Sequence, residues 1–366
     1  MDLTSIIVER IRKEGPISFH DFMEMALYYP ALGYYTSEST KIGKQGDYFT
    51  CPQMTPVIGM VLGKQLAEMW RQSGEKYFTI VEYGAGEGYL CYDILQYLQK
   101  TSKHYDRLRY CIIEKSGAMR YKQQTRLPAN VEWHDTLESV GPVTGCVLSN
   151  ELVDNFAVHR VVMQQALQEI YLDYQDGFVE VLQPAGPHLN DYFGELGVQL
   201  PNGYQAEVNL EAIDWMKAIG ATLKKGYVIT IDYGYSSDEL YNECRRNGTL
   251  ICYQKHQLND NPYAAIGLQD ITSHVNFSAL RLWGLKHGLS YAGLTNQAAF
   301  LLANDFKDCL RKTLTPGQDR LKAVLQEAML TRTLLLDMGM RFKVLIQHKG
   351  MDGKPITGLS YAQLRQ

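Results

Sequence analysis

The stretch YFTIVEYGAGEGYLCYDILQYL, residues 77–98, decides the fold. It begins with β-branched and aromatic residues, passes through three glycines and continues with apolar residues at helical spacing. This pattern predicts a buried strand, a tight turn and a helix. Glycine permits positive φ and lets a ligand approach the backbone without a Cβ in the way. In doubly wound sheets, a loop of this kind between a strand and a helix is where nucleotides bind.

The residues of the loop favour S-adenosylmethionine as its ligand. In the pattern E-x-G-x-G-x-G the third glycine comes one residue earlier than in the dinucleotide fingerprint, and Tyr89 stands where that fingerprint needs a small residue. Glu82 and Glu87 flank the loop, and carboxylates suit a sulfonium and an ammonium better than a pyrophosphate. A dinucleotide such as NAD is the weakest alternative. We expect the methyl donor to contact Glu82, Gly84, Ala85 and Gly86.

Bulk composition sets limits on the class of protein. The chain has 366 residues with 36 basic and 40 acidic side chains, so nothing in its charge indicates nucleic acid as a partner. No apolar run approaches the roughly 20 residues of a membrane span, so we expect no membrane insertion. The seven scattered cysteines lack C-x-x-C spacing, which argues against disulfides and a zinc site, and we expect no metal. Acids near the N-terminus disfavour a targeting peptide, so we expect a cytoplasmic location.

Strands that alternate with helices predict a parallel sheet for the core. The predicted strands cover residues 77–83, 108–114, 131–134, 143–149 and 227–232, with a closing strand at 341–347. After Phe156 the strands come close together, at 159–164, 169–174 and 178–182, which indicates an antiparallel insertion. The predicted division is therefore an N-terminal helical segment with a long loop (1–72), a donor-binding core (73–156 and 224–366) and a β-rich insertion (157–223).

Acidic residues directly after the second and third strands are candidates for the donor site. Glu114 ends the second strand, where a carboxylate can accept both hydroxyls of a ribose. Asp135 follows the third strand and is placed to meet the adenine amino group, although short acidic turns are common. We assign their neighbours Lys115 and Thr136 to the same site.

The segment SNELVDNFAVHR, residues 149–160, ends the fourth strand, where ligands bind in such sheets. Asn150, Glu151 and Asp154 are the predicted catalytic residues, because carboxylates can grip a guanidinium through paired hydrogen bonds. The alternative is that Asn150 and Asp154 only cap a helix. Further predicted substrate contacts are Asp232, His256 and His274, although a single histidine is more often structural.

Several strings resemble the MidA-like S-adenosylmethionine-dependent methyltransferases, a family that includes a mitochondrial complex I assembly factor acting on arginine. They include ISFHDFMEMALYYPALGYY, GDYFTCPQMTP, VEYGAGEG, SNELVDNFAVHR, VITIDYGY and DITSHVNFSAL. The resemblance implies an α/β class I methyltransferase fold, a Rossmann-like doubly wound sheet with an N-terminal helical segment and an α+β insertion. It implies that the GDYFT loop, with Asp47 and Thr50, closes over the donor. Gln53 stands where the family has an acid, so no acidic role transfers to it.

We therefore predict a methyltransferase that uses S-adenosylmethionine and modifies arginine on a protein substrate, which the resemblance suggests to be a respiratory-complex subunit. A small-molecule methyltransferase is the first alternative. A non-catalytic assembly module that binds the donor for structure only is the second. A homodimer is a further expectation, based on the insertion.

Overall fold

The computed structural model describes residues 2–37, 51–255, 257–313 and 320–361. Its helices are α1 (Leu3–Glu14), α2 (Phe19–Tyr28), α3 (Cys51–Met54), α4 (Val57–Ser73), α5 (Tyr89–Thr101), α6 (Gly117–Arg126), α7 (Leu137–Val140), α8 (Pro187–Leu196), α9 (Leu210–Thr222), α10 (Ser237–Leu240), α11 (Phe277–Lys286), α12 (Gln297–Ala303), α13 (Phe306–Thr313) and α14 (Arg320–Thr331), the last followed by a π-helical turn, Arg332–Asp337.

The strands of the described residues follow in the same chain order. They are β1 (Ile17–Ser18), β2 (Phe78–Tyr83), β3 (Leu108–Ile113), β4 (Val131–His134), β5 (Val143–Asn150), β6 (His159–Met163), β7 (Leu167–Tyr174), β8 (Phe178–Pro184), β9 (Gln205–Val208), β10 (Leu223–Tyr235), β11 (Ile251–Gln254), β12 (Gln257–Asn259), β13 (Asp270–Thr272), β14 (Val275–Asn276), β15 (Ser290–Asn296) and β16 (Phe342–Lys349).

The chain divides into two units. Unit 1 takes the described residues of Met1–Phe49, Val153–Trp215 and Gly234–Trp283. Unit 2 takes those of Thr50–Leu152, Met216–Tyr233 and Gly284–Gln366.

Unit 2 contains seven strands of an eight-stranded sheet, in the order β15-β16-β10-β5-β2-β3-β4, and the eighth strand, β14, pairs with the end of β10. The strands β4, β3, β2, β5 and β10 run parallel, whereas β16 is antiparallel to both of its neighbours. The chain starts in the middle at β2, moves outward through β3 and β4, and returns to the other side of β2 at β5. This reversal between β2 and β5 is a topological switch point, beside which such sheets bind their ligands.

Burial on both faces explains why these segments form parallel strands. Ile80, Val81, Cys146 and Val147 are almost completely inaccessible to water, as expected for strands covered by helices on both sides. In α5 the buried residues recur at helical spacing and join the same core, at Leu90, Cys91, Ile94, Leu95 and Leu98. The strand–turn–helix read from residues 77–98 is thus present at the centre of the sheet.

Unit 1 contains the antiparallel insertion that the strand spacing predicts, with the sheet order β1-β7-β6-β9 and β8 paired to β7. The hairpin turns at Asp176, whose φ is 55°. The N-terminal helices belong to this unit and not to a separate segment, because Ile17 and Ser18 pair with β7 and Phe22 packs in its core. Residues 234–283 also group here, so the predicted division of the chain differs from the observed one.

Some observed strands are longer than predicted, and others were not predicted. The strand expected at 227–232 extends over 223–235, and β15 escaped prediction because its sequence, SYAGLTN, is short and mostly polar. All seven cysteines are free thiols, and only Cys244 is exposed. In the part of the chain that the structure describes, no helix combines the length and the apolar character that crossing a bilayer requires.

Candidate functional site

The site lies in unit 2 at the carboxyl ends of β2, β3 and β5, on either side of the switch point. Three turns meet this edge of the sheet: the glycine loop after β2, the Glu114 turn after β3 and the Asn150–Glu151 turn after β5. Because the three strands are neighbours and parallel, their carboxyl ends lie side by side.

The glycine loop takes a backbone conformation that other residues rarely adopt. Gly84, Gly86 and Gly88 have φ values of 64°, 53° and 84°. A Cβ on Gly84 would lie 2.7 Å from a methyl carbon of Leu152, so a side chain here would also have to displace the end of Leu152. Helix α5 begins directly after Gly88 with no side-chain cap. The first N–H groups of α5 therefore remain available to a ligand.

Gln123 on α6 ties the glycine loop to Glu114. Its side-chain amide donates hydrogen bonds to the backbone oxygen of Gly86 at 2.8 Å and to the Glu114 carboxylate at 2.9 Å. The other carboxylate oxygen of Glu114 accepts from the Ser116 backbone N–H at 2.9 Å. Each oxygen of a carboxylate can accept a second hydrogen bond. Glu114 is therefore fixed in place and still able to accept the hydroxyls of a ribose.

Glu82 is completely buried beneath the loop, where it accepts a 2.7 Å hydrogen bond from the hydroxyl of Tyr110. Burial raises the pKa of its carboxyl to about 7, and the nearby Glu114 carboxylate adds to the rise. Glu87, by contrast, pairs with Lys122 at 2.9 Å, and its backbone oxygen accepts from Arg126. Glu87 is thus already neutralised by Lys122 of α6, whereas the loop sequence predicts that both acids attract a cation.

The Asn150–Glu151 turn is held by main-chain hydrogen bonds. Glu151 has a φ of 52°, which is uncommon for a residue with a Cβ and is often found at functional sites. Its backbone N–H donates to Ile231 at 2.9 Å, and the next N–H, of Leu152, donates to Asp232 at 3.2 Å. The Asn150 side-chain amide donates to the Glu151 carboxylate at 3.1 Å. These bonds fix the direction of the Glu151 side chain.

Asp232 lies under this turn. It is fully buried and also accepts from the backbone N–H of Tyr233 at 2.9 Å. Its observed contacts position the backbone of the turn, whereas its predicted contact with substrate stays a prediction.

The predicted adenine contacts lie at the rim. The Asp135 side chain is 87% exposed and forms an ion pair with Arg120 at 2.7 Å. Thr136 caps α7 through its hydroxyl, and Lys115 is exposed. All three follow the correct strands, and their contact with the donor stays a prediction.

Two other predicted residues belong to unit 1. Asp154 is buried, and its backbone oxygen accepts from Ser273 at 2.9 Å. Burial lowers the pKa of His274 to about 4, so its ring is neutral at neutral pH. Their predicted roles in catalysis and substrate binding are not tested by these contacts. Thr50, Asp47 and His256 lie outside the described residues.

The residues of unit 2 fit S-adenosylmethionine on their own chemistry. Glu114 keeps acceptor capacity for a ribose, and the uncapped start of α5 suits the carboxylate of an amino-acid group. The carboxylates that flank the loop would repel a phosphate, but this donor carries none. Among the described residues, the buried side-chain oxygen of Gln53 has no hydrogen-bond partner.

Comparison with known proteins decides the family. A family model described as "Putative S-adenosyl-L-methionine-dependent methyltransferase" matches residues 61–295. The chain belongs to this methyltransferase family. A Burkholderia thailandensis protein, solved with S-adenosyl-homocysteine bound, superposes with a TM-score of 0.88 at 30% identity, covering 98% of this chain and 94% of that one.

Curated relatives agree with this assignment. The Drosophila melanogaster "Protein arginine methyltransferase NDUFAF7 homolog, mitochondrial" is 25% identical and covers 96% of this chain and 87% of its own. The human protein of the corresponding name is 25% identical, covering 75% of this chain and 67% of its own. The MidA-like resemblance, the class I methyltransferase fold and S-adenosylmethionine as cofactor are thereby confirmed.

The expected cytoplasmic location is wrong, because these relatives carry mitochondrial names. The expectation rested on the charges of the first residues. In the structure these charges serve the fold: Arg10 of α1 pairs with Glu14 and with Asp21 of α2, both at 3.0 Å. The composition of this helix therefore does not report on the compartment.

One group of metal-ligand side chains lies away from the turns described above. Ligand atoms of Cys111, Glu132 and His134, on β3 and β4, lie within 4.8 Å of one another. Arg109 already holds the Glu132 carboxylate with two hydrogen bonds, at 2.9 and 2.6 Å. Since this guanidinium neutralises the carboxylate and would repel a cation, we assign no metal to the group.

Sequence reasoning missed Tyr110 and Gln123, which hold Glu82 and Glu114. A weak signal for Tyr110 existed: it lies on the strand next to Glu82 and on the same face of the sheet. Gln123 had no such signal, because a glutamine on a polar helix is usually exposed. Only the fold shows that this one is completely buried.

The buried Glu82 predicts a pH dependence of stability. Its folded pKa of about 7 lies above its ordinary value of 4.5, so between these values the folded state holds a proton that the unfolded state has lost. Stability should therefore fall as the pH rises from about 4.5 to 7, by a few kcal/mol in total. Urea unfolding across this range should show the fall in the wild type and lose that component in Glu82→Gln. Glu138→Gln, at an exposed acid, is the control, and equal pH slopes in wild type and Glu82→Gln would contradict the assignment.

Proposed function

We propose that this methyltransferase acts on the side chain of an arginine in a protein substrate. The observation that carries the proposal is the Asn150–Glu151 turn, in which a half-buried carboxylate is fixed by its neighbour and by two main-chain hydrogen bonds. The names of the curated relatives support the choice of acceptor.

Orienting a guanidinium requires a carboxylate that is itself held in place. A guanidinium presents its N–H donors in a rigid fork, which a carboxylate accepts in two parallel hydrogen bonds. Glu151 would accept one hydrogen bond from each of two nitrogens, and one of these nitrogens would turn its open face towards the methyl group. Because Asn150 donates to one oxygen of Glu151, that carboxylate cannot rotate freely.

The proton balance also favours an acid at this position. A free guanidinium has a pKa above about 12 and carries no available lone pair. A carboxylate at hydrogen-bond distance can accept a proton from a nitrogen that it contacts, which makes the lone pair of that nitrogen available. The nitrogen that accepts the methyl group loses a proton during the transfer, and Glu151 is the residue that we propose to receive it.

The remaining residues would act by positioning. Bound S-adenosylmethionine supplies an activated methyl group. Glu114 would hold the ribose of the donor, and the glycine loop would let the backbone approach it closely. Asp232 would keep the Glu151 turn in its left-handed conformation through Leu152. In a displacement that needs reacting atoms in line, such positioning accounts for much of the rate.

One variant should weaken binding of the donor, and another should lower turnover without weakening that binding. Glu114→Gln should raise the dissociation constant for S-adenosylhomocysteine roughly 10-fold or more, because it weakens a charged acceptor. Glu151→Gln should leave that constant within about 3-fold and lower turnover by on the order of 100-fold. Titration calorimetry and a methylation assay measure the two effects, with Glu138→Gln as the control. Unchanged donor affinity in Glu114→Gln, or full turnover in Glu151→Gln, would refute these roles.

The acceptor class can be tested without knowing the substrate. Purified protein is incubated with methyl-labelled S-adenosylmethionine and a cell lysate, which is then separated into protein and small-molecule fractions. We expect label in the protein fraction and, after acid hydrolysis, in methylated arginine. Label confined to small molecules would indicate the alternative methyltransferase class. Tight donor binding with no labelled product under any condition would indicate an assembly module without catalysis.

A further inference from the structure

Helix α14 lies in unit 2 with its polar side towards the protein. Leu330 is buried, and Gln326 and Glu327 are half-buried. The large apolar residues of α14 and of the turn that follows it point outward instead, each between 49% and 66% exposed. We call them the apolar stripe, formed by Leu321, Val324, Leu325, Met329, Leu336 and Met340.

This orientation is the reverse of that of an ordinary surface helix. Such helices turn their apolar side to the core and their charged side to water. The spacing of Leu321, Val324, Leu325 and Met329 is the usual i, i+3, i+4, i+8 pattern, so the stripe is a continuous strip along the helix and not a set of scattered side chains. Exposed apolar patches of several hundred Å² mark interaction surfaces in soluble proteins.

The parts of the chain outside the described residues do not supply a partner of matching chemistry. Residues 38–50 (ESTKIGKQGDYFT) contain only Ile42, Tyr48 and Phe49 as large apolar side chains. Residues 314–319 contain only Leu314, and residues 362–366 only Leu364. A strip of six large apolar side chains needs a partner surface of similar extent.

We propose that the apolar stripe is the two-fold interface between two copies of this chain. Stable interfaces bury about 1,200–2,000 Å² in total, and the six side chains of the stripe, each between 49% and 66% exposed, would form the apolar centre of such an interface. In a two-fold arrangement the same patch meets itself, and the stripe meets this condition because it is apolar along its length.

The charges at the ends of the stripe match this arrangement. If the two helices run antiparallel about an axis near Met329, Lys322 of one copy comes level with Asp337 of the other. Both side chains are exposed and opposite in charge, and Asp337 also lies 3.7 Å from Arg332 of its own copy, so any contact with Lys322 would be shared with that pair. An antiparallel pair would therefore place an opposite-charge contact at each end of an apolar centre, which favours this register.

A membrane surface fits the stripe less well. Helices that lie on membranes carry many Lys and Arg residues on their polar face. The polar side of α14, which faces the protein, carries Gln326 and Glu327 and, among the described side chains, no lysine or arginine. The β-rich insertion, on which the expectation of a homodimer rests, belongs mainly to unit 1, whereas this surface lies in unit 2.

Sedimentation velocity over about 1–100 μM protein tests the interface. The wild type should sediment as a dimer at the upper end of this range, and Met329→Glu should raise the dissociation constant at least 100-fold, because the axis places two introduced carboxylates next to each other. Leu285→Glu is the matched control: Leu285 lies in α11, is 62% exposed and is not part of the stripe. It should leave the dimer intact. Thermal unfolding of both variants checks that they fold.

Three outcomes would overturn the proposal. The first is a wild type that stays monomeric at every concentration. The second is a dimer that Met329→Glu does not weaken, or that Leu285→Glu weakens as much. The third is a monomer that sediments with vesicles of anionic phospholipid through the stripe, which would assign the surface to a membrane.

Discussion

The donor site depends on a loop whose backbone must turn left-handed at three glycines while remaining fixed in space. The loop itself does not restrict its backbone conformation, since glycine is the residue with the most conformational freedom. The structure supplies this restriction from α6: Gln123 bonds the loop at Gly86 and bonds Glu114 with the same amide group. One buried side chain thus sets the distance between the glycine loop and Glu114, the two parts of the site that are predicted to contact the donor.

The turn after β5 is likewise held by a buried side chain from another element. Here a residue with a side chain, Glu151, takes the left-handed conformation, and a buried acid, Asp232, stabilises the turn from the next strand. Strain of this kind persists only where the surroundings enforce it. The result is a carboxylate whose position is set before any ligand binds. Glu82 adds a further buried acid, which the fold tolerates because it can remain protonated near neutral pH.

The sequence predicted the core of unit 2 well because strands, glycines and acids there follow a local order. Residues 77–98 fold as their pattern indicates, and Glu114, Asn150 and Glu151 follow the strands that they were expected to follow. What could not be predicted depends on contacts between distant segments. The pairing of Ile17 with β7, more than 150 residues away, moves the N-terminal helices into unit 1. The buried position of Gln123 and the outward apolar side of α14 likewise depend on packing that no local pattern contains.

The account stands on where the donor binds and how it is oriented. A crystal structure of the protein with S-adenosylhomocysteine tests this most directly. The account predicts the ribose hydroxyls at hydrogen-bond distance from Glu114, the backbone of Gly84–Gly86 against the nucleoside, and the sulfur facing Asn150 and Glu151. A nucleoside bound elsewhere, or a sulfur directed away from those two side chains, would contradict it.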